Sequence, residues 1–456
     1  MNTKLGPYPK YKDSGIPWLG QIPEHWDVRR NGRLFAQRNE TGFGELPILE
    51  VSLRTGVRVR DMDNLKRKQV MSDAEKYKRA AKGDIAYNMM RMWQGALGTA
   101  PVDGLVSPAY VVARPFEETN PYYYSYLFRT EGYKAEVDGY SRGIVKDRNR
   151  LYWQDFKRMP SCFPPPKEQS SIVQFLDANA HFVRQFIRNR RRLIDLLAEQ
   201  KQAIINRYVT RGIDPKARRK ESGVDWIGEI PTHWERKKLK FLSRITYGIS
   251  PNNSTYNADG VGTLLINGPD EYSEEDFGYT RPIKWTTSPT KFAPKDALLF
   301  CLRGSTTGRL NICHDRVSIG RGVAALVPSG SRAYFTYAMM ALRSHLKSTF
   351  RGSTFPSVTA EQLNNYVLTN PPPEEQVSIA SHIQEETQTL ETAIRTAHAE
   401  IGLIQMYRDR LVLDVVTGKI DTRAATISVE LEVGHEDDEE LLDDFDSDEE
   451  VNDGDD

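Results

Sequence analysis

Tyr11-Lys-Asp-Ser-Gly-Ile-Pro-Trp-Leu-Gly-Gln-Ile-Pro-Glu-His-Trp26 and Arg219-Lys-Glu-Ser-Gly-Val-Asp-Trp-Ile-Gly-Glu-Ile-Pro-Thr-His-Trp234 are one passage written twice. Ser14, Gly15, Trp18, Gly20, Ile22, Pro23, His25 and Trp26 return 208 residues later as Ser222, Gly223, Trp226, Gly228, Ile230, Pro231, His233 and Trp234. With Lys12 and Lys220 counted, nine identities in sixteen positions do not arise by chance, least of all when four of the seven tryptophans lie in the two copies. A second pair has nearly the same offset: Pro164-Pro-Pro-Lys-Glu-Gln169 returns as Pro371-Pro-Pro-Glu-Glu-Gln376. Val209-Thr-Arg-Gly-Ile-Asp214 closes the first copy and Val416-Thr-Gly-Lys-Ile-Asp421 the second. Solenoid repeats run to about 50 residues, so a period near 207 reads as a duplicated pair of domains.

Each copy has two textures. The first part holds short apolar runs punctuated by Gly and Pro, such as Gly83-Asp-Ile-Ala-Tyr-Asn88 and Ala297-Leu-Leu-Phe-Cys-Leu302, and predicts a β-rich mixed domain. The second part opens on prolines, which suit a helix start, and predicts one long helix. In the first copy a stripe runs through Ile172, Leu176, Asn179, Val183, Phe186, Arg190, Leu193, Leu197, Gln200 and Ile204. It returns as Ile379, Ile383, Glu386, Leu390, Ala393, Ala397, Glu400, Ile404, Tyr407 and Leu411. Both helices would carry one seam, as in a coiled coil.

The expected fold is therefore α+β: two β-rich mixed domains separated by two long antiparallel coiled-coil helices, with an internal pseudo-two-fold duplication and a disordered acidic tail. The expected boundaries are 1–163 for the first β-rich domain, 164–214 for the first helical spacer, 215–370 for the second domain, 371–423 for the second spacer and 424–456 for the tail.

The 456 residues carry a net charge of zero, but unevenly. Residues 428–456 contain 16 Asp and Glu and no Lys or Arg, which leaves 62 basic against 46 acidic side chains in the rest. A basic body favours a polyanion such as nucleic acid, while an acidic block poor in aromatics favours disorder. No apolar run approaches the roughly 18 residues of a membrane span. Three scattered cysteines and a polar N-terminus without a secretory signal fit a reducing cytoplasm.

Catalytic signatures are missing where an enzyme would need them. Asn370-Pro-Pro-Pro373 lacks the aromatic that an adenine methyltransferase loop stacks on its flipped base. Gly260-Val-Gly262 lacks the third glycine of a dinucleotide fingerprint, and no Walker A loop exists. Cys301, Cys313 and His314 lack zinc-ligand spacing. His25 and His233, each beside a tryptophan, read as hydrogen-bonded structural residues in a folded turn.

Basic side chains interleaved with aromatics and amides point instead to nucleic-acid contacts. Lys66, Arg67, Lys68, Lys78, Arg79, Arg91 and Gln94 are the candidates in the first domain, and Arg303, Arg309 and Arg351 in the second. Arg91, Gln94, Arg303 and Arg309 suit bidentate reading of purine edges, whereas Lys66, Arg67 and Lys68 suit phosphates. Each is also compatible with a solvated basic surface.

The paired Ser-Gly-x-x-Trp-x-Gly-x-Ile-Pro-x-His-Trp motifs resemble those of the specificity (S) subunit of type I restriction-modification enzymes. So do Trp93-Gln-Gly-Ala-Leu-Gly98 with Val106-Ser-Pro-Ala-Tyr110, and the Pro-Pro-Pro-x-Glu-Gln helix starts. The resemblance covers roughly residues 10–423 and implies two target recognition domains alternating with two helical spacers. It implies a non-catalytic subunit that reads a bipartite asymmetric target in double-stranded DNA, one half-site per domain. It further implies that the helices set the half-site separation and dock two methyltransferase (M) subunits, joined by restriction/translocase (R) subunits. Such a chain would hold no cofactor; S-adenosylmethionine, ATP and Mg would belong to its partners. The acidic tail is outside the family pattern. A stand-alone DNA-modifying enzyme and a non-catalytic coiled-coil scaffold remain the alternatives.

Overall fold

The computed structural model describes residues 5–53, 55–60, 74–143, 149–273, 278–304, 306–349 and 357–424. The acidic stretch 428–456 lies outside them. The chain divides into two compact units: residues 1–188 with 400–456, and residues 189–399. Each unit holds one β-rich domain, together with part of each of two long helices.

In the first unit, Tyr11–Asp13 and Gln21–Pro23 form a hairpin with Tyr11 opposite Pro23. Asp27–Arg30 pairs antiparallel with Pro160–Phe163, which brings the two ends of the domain together. Between them lies a four-stranded antiparallel sheet in the order Phe35–Arg38, Tyr110–Pro115, Ile85–Asn88, Leu97–Thr99. The helices Pro121–Phe128 and Glu131–Tyr140 start on the side-chain caps Asn120 and Thr130. They bury Tyr123, Tyr124, Phe128 and Tyr133 against Phe35, Tyr87 and Phe156 in an aromatic core.

In the second unit, Arg219–Glu221 and Glu229–Pro231 form a hairpin with Arg219 opposite Pro231. Glu235–Lys238 pairs with Val367–Asn370. A four-stranded sheet runs in the order Ser243–Tyr247, Val323–Pro328, Leu298–Cys301, Leu310–Ile312. The helix Arg332–Thr349 covers it, burying Tyr334, Ala338, Met339 and Leu342. A five-stranded sheet is added here, ordered Tyr256–Asn257, Trp285–Thr286, Thr263–Ile266, Val317–Ile319, Phe292–Ala293, with one parallel pair at Leu265 and Ser318.

The long helices are Pro166–Arg211, of 46 residues, and Pro373–Val416, of 44. At about 1.5 Å per residue each is roughly 65–70 Å long. The last proline of each triplet stands at the first helical position, where its missing N–H is no loss. Glu168 and Glu375 follow in the first turn, where a carboxylate suits the positive end of the helix dipole. Gln169 Nε2 donates to Pro164 O at 2.8 Å and Gln376 Nε2 to Pro371 O at 2.9 Å, fixing the entry of each helix.

Within the second unit the helix segments run antiparallel. Lys201 meets Glu391 at 2.7 Å, and Tyr208 Oη donates to Glu386 at 2.6 Å. Within the first unit, Ile172, Val173, Phe175 and Leu176 share a core with Leu411, Val415 and Val416. The seam departs from the evenly spaced stripe. Thr387 is buried where Glu386 was expected, while Leu193 and Tyr407 stand exposed. A straight helix turns every 3.6 residues, so a seam extrapolated at 3.5 drifts off the contact line within a few turns. Among the described residues no helix is long and apolar enough to cross a membrane.

Candidate nucleic-acid interface

The two four-stranded sheets present their loops alike. In the first domain Tyr110 lies opposite Asn88, so loop 89–96, leaving one strand, sits beside loop 107–109, entering the next. In the second domain Val323 lies opposite Cys301, which sets loop 302–309 beside loop 320–322. Each sheet thus ends in a pair of adjacent loops on a fixed frame.

Local chemistry shapes these loops. Asn88 Oδ1 accepts the Met90 N–H at 2.9 Å, and Trp93 Nε1 donates to Met90 O at 3.0 Å. Gly95, at φ +97°, closes the short turn Met92–Gln94 in the left-handed region. At Gly98 a Cβ would lie 2.6 Å from the Val57 backbone nitrogen, so only glycine lets these strands cross. The Trp93-Gln-Gly-Ala-Leu-Gly98 motif is therefore largely a framework, and from it Gln94 projects into solvent. In the second domain Gly320 and Gly322 seat their loop against Asn267, where added Cβ atoms would lie 1.8 Å from Asn267 Oδ1 and 2.9 Å from its carbonyl oxygen. Arg321, between them, is exposed.

The candidate residues fall into distinct settings. Lys66, Arg67, Lys68 and Arg351 lie outside the described residues. Lys78 Nζ donates to Tyr110 O at 2.8 Å, and burial lowers its pKa. Arg79 is held by Asp103 at 2.7 Å and Glu40 at 3.2 Å, and the Asp103 hydrogen bond raises its pKa. Arg309 Nη2 donates to Ser273 O at 2.6 Å. Arg91 is half-buried at the start of its turn, whereas Gln94 and Arg303 are exposed. Loop pairing thus brings Arg91 with Gln94, and Arg303 with Arg309, to equivalent ends of the two sheets. Arg321 was not among the candidates, although Gly320-Arg-Gly322 occupies the place of Ser107-Pro-Ala109 once Val323 is set on Tyr110.

The repeated motifs themselves have another task. Glu168 is buried and accepts three bonds: from Tyr8 Oη at 2.5 Å, His25 Nε2 at 2.8 Å and Trp26 Nε1 at 3.0 Å. Burial, reinforced by Glu168, pushes the Tyr8 hydroxyl well above its usual range. Gly418 lies under the Trp26 ring, and Asp421 N donates to Gly6 O at 2.8 Å. In the second unit His233 Nε2 meets Glu375 at 2.9 Å, and Gly212, at φ +70°, lies under Trp234. The hydrogen bonds expected at His25 and His233 are present, but to glutamates 143 and 142 residues away rather than within a turn. The His-Trp motif is a latch, fixing each β-rich domain to the start of one long helix and the end of the other.

A family model described as the type I restriction modification DNA specificity domain matches residues 231–397. The putative type I restriction enzyme MjaX specificity subunit of Methanocaldococcus jannaschii is 25% identical over 425 residues, covering 88% of this chain and 95% of that protein. Along most of its length the chain is similar to type I restriction-modification specificity subunits. The MjaIX specificity subunit of the same organism is 24% identical over 165 residues, covering 34% of this chain and 38% of that protein. A chain in a solved structure addressing complex assembly and conformational transition of the type I R-M system superposes with a TM-score of 0.62 at 20% identity. It covers 87% of this chain and 98% of its own length, and it shares the mixed α/β fold. A specificity subunit is the DNA-recognition component of such a system and is not itself catalytic. Among the described residues of this chain, no three His, Cys, Asp or Glu side chains are grouped to hold a metal ion.

Proposed function

We propose that this specificity subunit is an internal duplication that reads a split, asymmetric DNA target, one half-site per β-rich domain. The observation that carries the reading is the contrast between frame and loops. Hairpin register, closing strand pair, sheet order and latch glutamate recur in both units, while the paired loops carry different side chains. Equal frames with unequal loops suit two readers of two different sequences. Paired readers on paired half-sites are also the geometry of dimeric repressors.

The long helices are the spacer between half-sites and the docking surface for two methyltransferase subunits, with translocase subunits joining the assembly. S-adenosylmethionine, ATP and Mg act on those partners in the cytoplasm. Support for docking comes from Phe182, Leu403, Met406 and Tyr407, each half-exposed or more on the helix segments of the first unit. Large apolar side chains left in water on a helix suit a protein partner.

The test is a domain exchange. Residues 27–160 are replaced by the corresponding segment of another specificity subunit, and modified adenines are mapped in cells carrying the methyltransferase subunit. One half of the recognised sequence should change and the other persist. A hybrid in which both halves change together would refute one reader per half-site.

A further inference from the structure

We propose that Arg303 and Arg321 are specificity-determining residues of the second domain, and that each reads a guanine through the depression they share. The inference rests on the half-site reading above and names its chemistry. Both side chains are exposed, and both line one depression of about 610 Å³ together with Tyr247, Gly304, Ser357 and Thr359. They come from the two adjacent loops at the end of the four-stranded sheet.

Among the described residues neither guanidinium has a hydrogen-bond or ion-pair partner. Other arginines of the β-rich domains are spent internally: Arg38 on Asp84, Arg79 on Asp103, Arg309 on Ser273 O and Arg332 on Asp296. An arginine held by a carboxylate has its fork of donors occupied, whereas Arg303 and Arg321 keep all of theirs. The glycines beside Arg321 pack against Asn267, so the loop backbone is fixed while the side chain stays free.

The position matters as much as the charge. At the equivalent sheet end of the first domain, Pro108 stands where the strand register places Arg321, and an exposed glutamine, Gln94, lies in the loop matching that of Arg303. A phosphate-binding residue has no cause to differ between two readers, because every sequence has the same backbone. A base-reading residue does. Arginine presents two parallel donors that match the O6 and N7 acceptors of guanine, and such a pair discriminates by about 1–3 kcal/mol, or roughly five- to 150-fold.

The experiment is selection of a random duplex DNA library by the full-length chain at moderate salt, followed by sequencing. The wild-type chain should enrich a split motif with guanine in one half. Arg321→Ala should flatten one guanine position by roughly five- to 150-fold, and Arg303→Ala another. The other half of the motif should persist, which also reports that the variant is folded. Arg303→Lys and Arg321→Lys should retain binding but lose part of the preference, since lysine lacks the fork. Guanine preference unchanged in both alanine variants would overturn the proposal. So would a uniform loss of affinity with the motif intact, which is the behaviour of a phosphate contact. A wild-type chain that enriches no motif would instead overturn the half-site reading itself.

Discussion

Glu168→Ala should cost several times more stability than Glu375→Ala, although the two residues hold the same place in the repeated motif. Glu168 accepts bonds from Tyr8 and Trp26, which are 3% and 0% exposed, and from the more accessible His25. Alanine would leave the Tyr8 hydroxyl and the Trp26 indole N–H buried without an acceptor. Each orphaned donor costs about 1–3 kcal/mol, so the pair should cost about 2–6 kcal/mol. Glu375 bonds only to His233 among the described residues, and the two side chains are 28% and 53% exposed. Trp234 Nε1 already lacks a partner, so Glu375→Ala orphans no further buried donor and should cost at most about 1 kcal/mol.

Urea unfolding followed by tryptophan fluorescence measures both. With a slope of about 2–3 kcal/mol per molar urea, Glu168→Ala should lower the midpoint of its transition by roughly 0.7–3 M and Glu375→Ala by less than about 0.5 M. Tyr8→Phe should cost about 1 kcal/mol alone and much less in the Glu168→Ala background, because both changes remove one bond. Equal losses from the two glutamate variants, or additive losses from Tyr8→Phe with Glu168→Ala, would refute the latch as the source of the difference.

Gly418→Ala should destabilise the first unit by about 2–4 kcal/mol, because a Cβ there would lie 2.4 Å from Pro23 Cδ and 3.0 Å from Trp26 Cζ3 at a φ of +76°. Gly228→Ala, at φ +64° with nothing within 4 Å of the added carbon, should cost only about 1 kcal/mol, and thermal unfolding of the pair separates steric conflict from backbone strain. Removing residues 428–456, with their 16 acidic side chains, should tighten binding to random duplex DNA at low salt, as read by gel shift. The gain should fade near physiological salt, where the Debye length is about 8 Å, and equal affinity at low salt would exclude competition between tail and phosphates.

The architecture was legible because it is carried by rare residues and long periods. Tryptophan, histidine and proline repeating at a fixed offset announced two related units, and the proline triplets, the first of them before a stretch without Pro or Gly, announced the long helices. The connection between those two signals was not legible. His25 and Trp26 reach Glu168 across more than 140 residues, a pairing that only the closed domain creates. The setting of Lys78 and Arg79 was not legible for the same reason. Lys78 and Arg79 form a dense positive run in the sequence, yet the acceptors that occupy them, Tyr110 O, Asp103 and Glu40, come from elsewhere in the chain. Arg321 stands alone between two glycines and forms no run. It becomes conspicuous only when strand register sets its loop beside that of Arg303.

This division has a physical cause that bears on how such chains diversify. The motifs repeated in this chain make buried hydrogen bonds and tight glycine contacts, so changing them costs stability whatever DNA is read. The loop side chains that meet solvent cost little to change, because an exposed guanidinium without a partner contributes little to folding. On the proposed reading, such a chain can hold Trp26, Glu168 and Gly418 fixed while residues at the positions of Gln94, Arg303 and Arg321 change with the target. It follows that likeness in the latch motifs predicts a shared frame and says nothing about a shared recognition sequence. Two chains with the same latch and different side chains on the paired loops should read different half-sites.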